Sequence, residues 1–580
     1  MQILLILIAM ILFIFIVSIY DVKKTEKEIK KNILDTFGKI PNENYIIQDR
    51  TAIYWREIQD HLLKEEIIDE ITWNDLDMDK IFNRINHTKS FAGEQLLYAE
   101  LHHIPICKNT VIELERTMDY YKSHDSVRLE MEYLLYTLGK DELSYYLPMF
   151  INDIELHHIS KIWVYHILQI LLFITALPPL ILKEPIYWVV TVIIFLINIG
   201  IYSIKKSQYE VYMDSLSCII RLLKLIKKVM LKSDSFCHDI PDNIKENLKK
   251  FDKLSNMISS LQMKKQAGLS GDIFGLLQDY MIGATLWDFT RYEKIISYIQ
   301  GKQNEFMELY EFVARIDMAI SILSFRKSLP IYCIPRFTEK RELDFQELYH
   351  PLIKIPICNS LSLSKNCLIT GSNASGKSTF IKAIAVNVIL AQSIHTCTAA
   401  NISVPNARII TSMAIRDDIS SGESYYIKEI KYLKRIIDCF ADGRMVICAI
   451  DEILRGTNSD ERIAASVAIL VYLIKVDCIA LVASHDLEIA KLLANQYNLY
   501  YFCEQLKNGD IFFDYCIHQG VSTTQNAINL LKAEGFPEEI IAVARSTEKR
   551  TIMNEKAENK PQINQNSLSE ITKGLTQRAL

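Results

Sequence analysis

Three stretches of the chain are apolar on every helical face rather than on one. Met1 to Tyr20 is a nearly unbroken apolar run, and Ile162 to Leu182 and Ile186 to Ile204 are two more, parted by Lys183, Glu184 and Pro185. A helix needs about 20 apolar residues to cross the hydrocarbon core of a bilayer. Each run therefore reads as a membrane span, the second and third as a hairpin, with Trp163, Tyr165, Tyr187 and Trp188 placed like interface anchors. A cleaved signal peptide competes for the first run and a buried helical pair for the other two. A signal peptide starts with basic residues, whereas Lys23, Lys24, Lys27, Lys30 and Lys31 follow the apolar run. Basic residues flank cytoplasmic helix ends, so these lysines, with Lys205 and Lys206 after the third run, predict an outside N-terminus and a multi-pass protein of the cell membrane. Residues 21 to 160 and everything from 205 onward then lie in the cytoplasm.

Between and beyond the apolar runs the period changes. From Asp75 to Leu138 the apolar positions Leu76, Ile81, Ile85, Phe91, Leu96, Leu97 and Leu101 recur at helical spacing, predicting an all-helical segment within 21–160. Residues 205–335 continue in that manner, with long runs from Leu222 to Leu231 and from Phe306 to Phe325 that suit lever-like helices. Near Pro330 β-branched and aromatic residues begin to alternate with short polar breaks, so an α/β domain is expected over 336–550. Residues 551–580 are too polar to pack, and disorder is expected there.

Composition narrows the class. A chain of 580 residues exceeds one core, and 49% hydrophobic with 23% charged residues suits a protein partly in lipid. The net charge of −5 supplies no overall basic field for nucleic acid, although a local patch remains compatible with it. The twelve cysteines form no CxxC pair and no Cys/His cluster at zinc spacing, which argues against a disulfide framework or a structural metal site.

Candidate chemistry gathers in the α/β region. Cys367 to Thr370 is a short apolar strand candidate that runs into Gly371-Ser372-Asn373-Ala374-Ser375-Gly376-Lys377-Ser378-Thr379 and then a helical pattern. This is a Walker A phosphate loop in its proper context: glycines let backbone amides face phosphate, and the helix N-terminus adds positive potential. Lys377 is expected on the β- and γ-phosphates of ATP and the Ser378 hydroxyl on Mg²⁺. A chance glycine-rich turn is the alternative. Met445 to Ile450 reads as a buried parallel strand ending in Asp451-Glu452. A carboxylate there can hold Mg²⁺ and the next can activate water, so Asp451 is the expected metal ligand and Glu452 the general base; a solvated turn is the bland reading. A third strand, Cys478 to Ala483, ends in Ser484-His485, placing His485 to contact the γ-phosphate or the attacking water.

These segments together resemble the MutS family: ITGSNASGKST for its ITGPNxxGKST, AIDEILRGTNSDE for its xxDExxRGTxxxD, and ASHD for its ATHx. The stretch from Ser420 to Glu429 resembles the family's ASGxSTFxxEM, with Ser424 and Glu429 at corresponding positions. Tyr349-His350-Pro351-Leu352 is similar to the family's HPxx opening of the domain, and Pro356-Ile357-Cys358-Asn359 to its apolar-Asn nucleotide lip. Gly520-Val521-Ser522, Ala527-Ile528 and Gly535 to Ile540 resemble its C-terminal helical piece. The match covers about residues 340–548, with a fainter one from Ile85-Asn86-His87-Thr88 through Ile104-Pro105 to the start of its helical core. The resemblance implies a P-loop, ABC-type ATPase domain after an all-α lever region. It also implies ATP and Mg²⁺ as cofactors, Ile357 and Tyr515 against the base, and a homodimer in which Ser424 reaches the nucleotide held by the other subunit's Lys377.

Departures from the family matter too. Its mismatch readers carry an aromatic-x-Glu wedge domain and a connector, for which no room is expected upstream of Asp75, and its soluble members have no hairpin within the helical core. Two functions follow: a membrane-tethered ATPase that clamps DNA, or a mechanochemical protein that moves its own membrane helices or a partner instead. An ABC-type exporter is more distant, because the few expected spans carry no charged residue to mark a path. Lys224, Lys227, Lys228 and Lys232 are the candidate phosphate contacts, and a solvated helix face or anionic lipid competes for them.

Overall fold

In the computed structural model the described residues are 2–41, 49–105, 109–182, 186–231, 240–257, 283–372, 375–413, 425–454, 459–507, 510–521, 528, 531 and 535–547. The chain forms two compact units, Met1–Asn366 with Thr379–Val482, and Cys367–Ser378 with Ala483–Leu580.

The first unit begins with helices: α1 (Gln2–Thr36), α2 (Ile53–Gln59), α3 (Glu70–Asp75), α4 (Met78–Ile85), α5 (Phe91–His102), α6 (Asn109–Ser123), α7 (Asp125–Leu138) and α8 (Leu147–Asn152). There follow α9 (Ile162–Leu182), α10 (Ile186–Leu231), α11 (Asp242–Lys250), α12 (Asp252–Met257), α13 (Trp287–Ile299) and α14 (Gln303–Ser328). The expected helical bundle is thus present, and α14 is its axis. Phe306, Tyr310, Val313 and Phe325 of that helix are fully buried, and it lies against α4, α5, α6 and α7.

One buried charge fixes the register of this bundle. Asp317 on α14 accepts hydrogen bonds from the amides of Lys89 and Ser90, at 3.0 and 2.7 Å, and from the Ser90 hydroxyl at 2.5 Å. Ser90 in turn caps α5 by accepting from the Gly93 amide. A buried carboxylate is tolerated only when hydrogen-bonded in this way. Gly93 is required for the approach, since a Cβ there would lie 2.4 Å from Asp317 Oδ2.

α9 and α10 are long and apolar enough to cross a membrane, within Ile154–Pro179 and Trp188–Lys205. Only 11% and 22% of those windows is buried. Ile167, Phe173 and Leu177 of α9 and Val189, Ile193 and Leu196 of α10 are exposed. The polar side chains face inward instead: Gln169 donates to Thr290 Oγ1 (3.1 Å), Thr191 to the Thr175 carbonyl (2.7 Å) and Asn198 to the Ala284 carbonyl (2.8 Å). α10 does not stop where its apolar run ends. It continues unbroken for 46 residues, about 69 Å at helical rise, because a switch from apolar to charged side chains does not interrupt backbone hydrogen bonding. Likewise α1 runs past Tyr20 to Thr36, where Ile33 is buried and Lys30 pairs with Glu26 at 2.7 Å and with Glu130 of α7.

The α/β part of this unit holds a four-stranded sheet in the order β1 (Arg336–Thr338), β5 (Asn401–Pro405), β2 (Leu343–Leu348), β3 (Asn359–Leu363). β6 (Arg408–Ser412) pairs in parallel with β7 (Val446–Asp451), which neighbours β8 (Cys478–Ser484). Helices α15 (Lys377–Ser393), α16 (Tyr425–Asp438) and α17 (Ser459–Lys475) connect these strands. β7 and β8 are buried almost throughout, as the helix-covered strands of an α/β sheet are.

Polar clasps tie the helices to this part. Thr411 Oγ1 and the Met413 amide, at the end of β6, donate to buried Asp75 of α3 at 2.7 and 3.0 Å, and Lys382 of α15 pairs with Asp77 at 2.9 Å. Arg326 of α14 grips Glu115 of α6 with both terminal nitrogens, and His395 Nδ1 lies 2.8 Å from the same carboxylate. Burial opposes the Glu115 charge, but hydrogen bonds from His395 and Arg326 outweigh it and pull its pKa down to about 2. A depressed carboxyl pKa adds stability that is complete above the unfolded value near 4.5 and fades as pH falls toward 2. Wild type should therefore be more stable than Glu115→Gln in thermal melts at pH 6, with the gap closing between pH 4.5 and 2; a gap that does not change with pH would contradict the clasp.

The second unit contains β4 (Cys367–Thr370), the short helix α18 (Leu487–Leu492) and β9 (Asn498–Tyr501). It also holds the antiparallel hairpin β10 (Glu504–Lys507) and β11 (Asp510–Phe513), and the short β12 (His518–Gln519). β9 pairs in parallel with β4 and antiparallel with β12. The expected disordered tail, Lys183 to Pro185 and Lys232 lie outside the described residues.

Candidate nucleotide site

The phosphate loop leaves β4 at Gly371 and enters α15 at Lys377. Gly371 has φ +138°, and a Cβ there would lie 2.6 Å from the Phe502 carbonyl oxygen. Gly376 has φ +105° and faces the Tyr515 ring, whose Cδ1 would be 3.1 Å from an added Cβ. Both glycines thus answer to backbone geometry as well as to close neighbours. The loop is closed by its own groups: the Ser375 hydroxyl donates to the Ser372 carbonyl (2.7 Å) and the Ser372 hydroxyl to Glu504 Oε2 (2.9 Å). The ammonium of Lys377, itself 1% exposed, donates to the Gly371 and Ser372 carbonyls at 2.6 and 2.7 Å. A buried lysine cation is thereby held inside the ring of the loop, where anionic phosphate oxygens would be attracted to it. Ser378 is half-buried in the first turn of α15, and Thr379 is exposed. Asn373 and Ala374 lie outside the described residues.

Tyr515 is 44% exposed, with a left-handed backbone of φ +53°. Strained non-glycine backbone of this kind tends to cluster at functional positions. Cys503 and Asp514 close the root of the β10–β11 hairpin, and Asp514 pairs with His518 Nε2 at 2.9 Å. Burial works against the Asp514 charge, but the bonds from His518 and the Cys516 amide hold its carboxyl below the usual range. His485, just beyond the end of β8, is largely exposed, its Nε2 3.8 Å from Asp486.

In the first unit, the Asp451 carboxyl ends β7 and is half-buried, one residue further into the strand than expected. Glu452 follows, 8% exposed, with φ +61°, and Leu454 repeats the left-handed turn at φ +58°. A buried glutamate on a backbone that disfavours any side chain is poor economy for stability alone. Ile357 is exposed before β3, and Glu429 is buried on α16. Ser424 lies outside the described residues. Residues that sequence reasoning missed are Glu504, which anchors Ser372, and the group around Asp514; both face the loop or hairpin only after folding.

A strand that runs through a glycine-bent loop into a helix, with a buried lysine inside the loop, is the phosphate-binding element of a P-loop nucleotide-binding domain. Residues 367–551 match MutS domain V, so that region of the chain is a divergent representative of the MutS family. MutS protein homolog 4 of Mus musculus is 30% identical over 271 residues, covering 43% of this chain and 28% of that protein. The DNA mismatch repair protein MutS of Pseudothermotoga lettingae is 29% identical over 265 residues (44% and 32%), and that of Thermotoga maritima 27% over 280 (46% and 35%). The chain thus spans about a third or less of the length of these relatives.

Because a Cβ at Gly371 must collide with a backbone carbonyl, Gly371→Ala should weaken ATP binding by at least about tenfold while the helical content persists. Equilibrium binding of a fluorescent ATP analogue, with circular dichroism beside it, checks this; unchanged affinity would show that the loop's shape is not what binds.

Proposed function

We propose that this protein is a membrane-anchored ATPase that binds Mg²⁺·ATP on the 371–379 loop and hydrolyses it as a homodimer, coupling closure of the dimer to a grip on DNA. The buried Lys377 inside the glycine-bent loop is the observation that carries the nucleotide half of this reading. In it Ser378 and Asp451 hold Mg²⁺, Glu452 activates the attacking water, His485 contacts the γ-phosphate, Ile357 and Tyr515 enclose the base, and Ser424 of the second subunit completes the site. A monomer then hydrolyses ATP poorly. DNA enters from the family: relatives named as DNA mismatch repair proteins match 44% and 46% of this chain, and the exposed Lys224, Lys227 and Lys228 of α10 offer phosphate contacts, with Lys227 also 3.3 Å from Asp252.

The membrane half rests on the inverted surface of α9 and α10, apolar side chains outward and polar ones inward, which is suited to lipid rather than water. With α1 as a third span, the ATPase region faces the cytoplasm and the N-terminus lies outside. The continuity of α10 favours a second reading, in which ATP-driven closure acts on the membrane helices or a protein partner and DNA plays no part: one rigid helix carries both the apolar stretch and the lever.

Turnover by the detergent-solubilised dimer separates the two. Stimulation by duplex DNA, with binding that weakens steeply as salt rises, is expected for the DNA clamp; no stimulation and no salt-sensitive binding would reject it in favour of the second reading. Independently, Glu452→Gln should slow turnover by about 100-fold or more and accumulate ATP-bound dimers, whereas wild-type turnover in that variant would remove Glu452 from the mechanism.

A further inference from the structure

The root of the β10–β11 hairpin gathers a thiol, a carboxylate and an imidazole that the nucleotide reading does not use. Cys503 immediately precedes β10, Asp514 immediately follows β11, and His518 lies one short turn further on. Cys503 Sγ is 3.5 Å from Asp514 Oδ2, which is 2.9 Å from His518 Nε2. All three ligand atoms lie within 4.8 Å of one another, and all three residues are half-buried.

We propose that Cys503, Asp514 and His518 form a zinc site that staples the hairpin to the strand bearing His518. Tetrahedral zinc with bonds of about 2.0–2.3 Å sets its donor atoms about 3.3–3.7 Å apart, so the 3.5 Å spacing of Cys503 and Asp514 already suits the ion and the 2.9 Å spacing of Asp514 and His518 needs only a small opening. The donor set selects the metal: a thiolate with an imidazole and one carboxylate suits zinc, whereas magnesium and calcium take oxygen donors. Binding is balanced simply. The Asp514–His518 hydrogen bond gives way to bonds from both groups to the ion, Cys503 binds as thiolate, and its proton leaves to solvent. A water takes the fourth position, and the Cys516 amide, which donates to Asp514 Oδ1 at 3.1 Å, helps to orient the carboxylate.

The hairpin root is where such a staple has the greatest effect. Glu504, next to Cys503, anchors Ser372 of the phosphate loop, and Tyr515, next to Asp514, lies against Gly376. The ion would hold both supports at once and limit the freedom of the hairpin between them. This site is separate from the Mg²⁺ expected with nucleotide, and the proposal stands whether or not the chain hydrolyses ATP.

Cobalt is the probe, because thiolate-bound tetrahedral Co²⁺ absorbs visibly and gives a sulfur-to-metal charge-transfer band. The full chain in detergent, stripped of metal and free of nucleotide, is titrated with Co²⁺ and then with Zn²⁺. Uptake of about one equivalent per chain with a tetrahedral thiolate spectrum that zinc bleaches is expected. Cys503→Ser should lose the charge-transfer band, and His518→Ala should bind at least about tenfold more weakly. The wild-type titration needs no variant to fold: a protein that develops no tetrahedral spectrum overturns the site, and so does a Cys503→Ser protein with unchanged spectrum and affinity.

Discussion

The absence of a side chain at Gly371 is the constraint on which the candidate site depends. The Phe502 carbonyl occupies the space a Cβ would need, at 2.6 Å, and the Phe502 amide donates to the Thr370 carbonyl at 3.0 Å. The strand pairing of β4 with β9 therefore continues right up to the turn, and the loop has one way to leave the sheet. Once it does, Lys377 is buried against the loop's own carbonyls, and Ser372 is tied to Glu504 on the neighbouring hairpin. The shape of the loop, the position of the hairpin and the approach of the Tyr515 ring to Gly376 are one arrangement seen from three sides.

The helical part is tied into the α/β part at places suited to transmitting motion. Asp75 holds the end of β6, the strand directly before the segment that carries Ser424. Asp77 holds α15, the helix that begins at Lys377. Glu115 and Arg326 join the bundle axis to the far end of that same helix through His395 and Thr396. α15 is thus fastened to the helical part near both of its ends, through Asp77 before α4 and through Glu115 of α6 and Arg326 of α14. α10 lies against the same bundle and carries the second exposed apolar stretch in the same unbroken helix.

Much of this was legible in the sequence where the signal is local. Cys367–Thr370 is a strand with the expected ends, and the short apolar runs before Asp451 and Ser484 are strands of the kind a buried parallel sheet holds. Ile162 to Leu182 is a helix for its whole length. What escaped was tertiary. Asp317 and Ser90 meet across 227 residues, and no pattern on either helix announces them. Cys503 is separated from Asp514 and His518 by a hairpin, so their spacing matches no metal motif read along the chain; the strand pairings of Glu504 with Phe513 and of Tyr501 with His518 bring them together. The continuity of α10 was hidden because hydropathy changes at Lys205 while helical backbone does not.

The proposed function turns on whether the amides of residues 371–379 and the acidic pair Asp451 and Glu452 serve a single magnesium–nucleotide complex. A structure of the full chain with Mg²⁺ and a non-hydrolysable ATP analogue tests it most directly. The account predicts phosphates cradled by the loop, the ion held by Ser378 with Asp451 beside it, and Glu452 facing the γ-phosphate. Phosphates bound elsewhere, or an acidic pair remote from the ion, would contradict it.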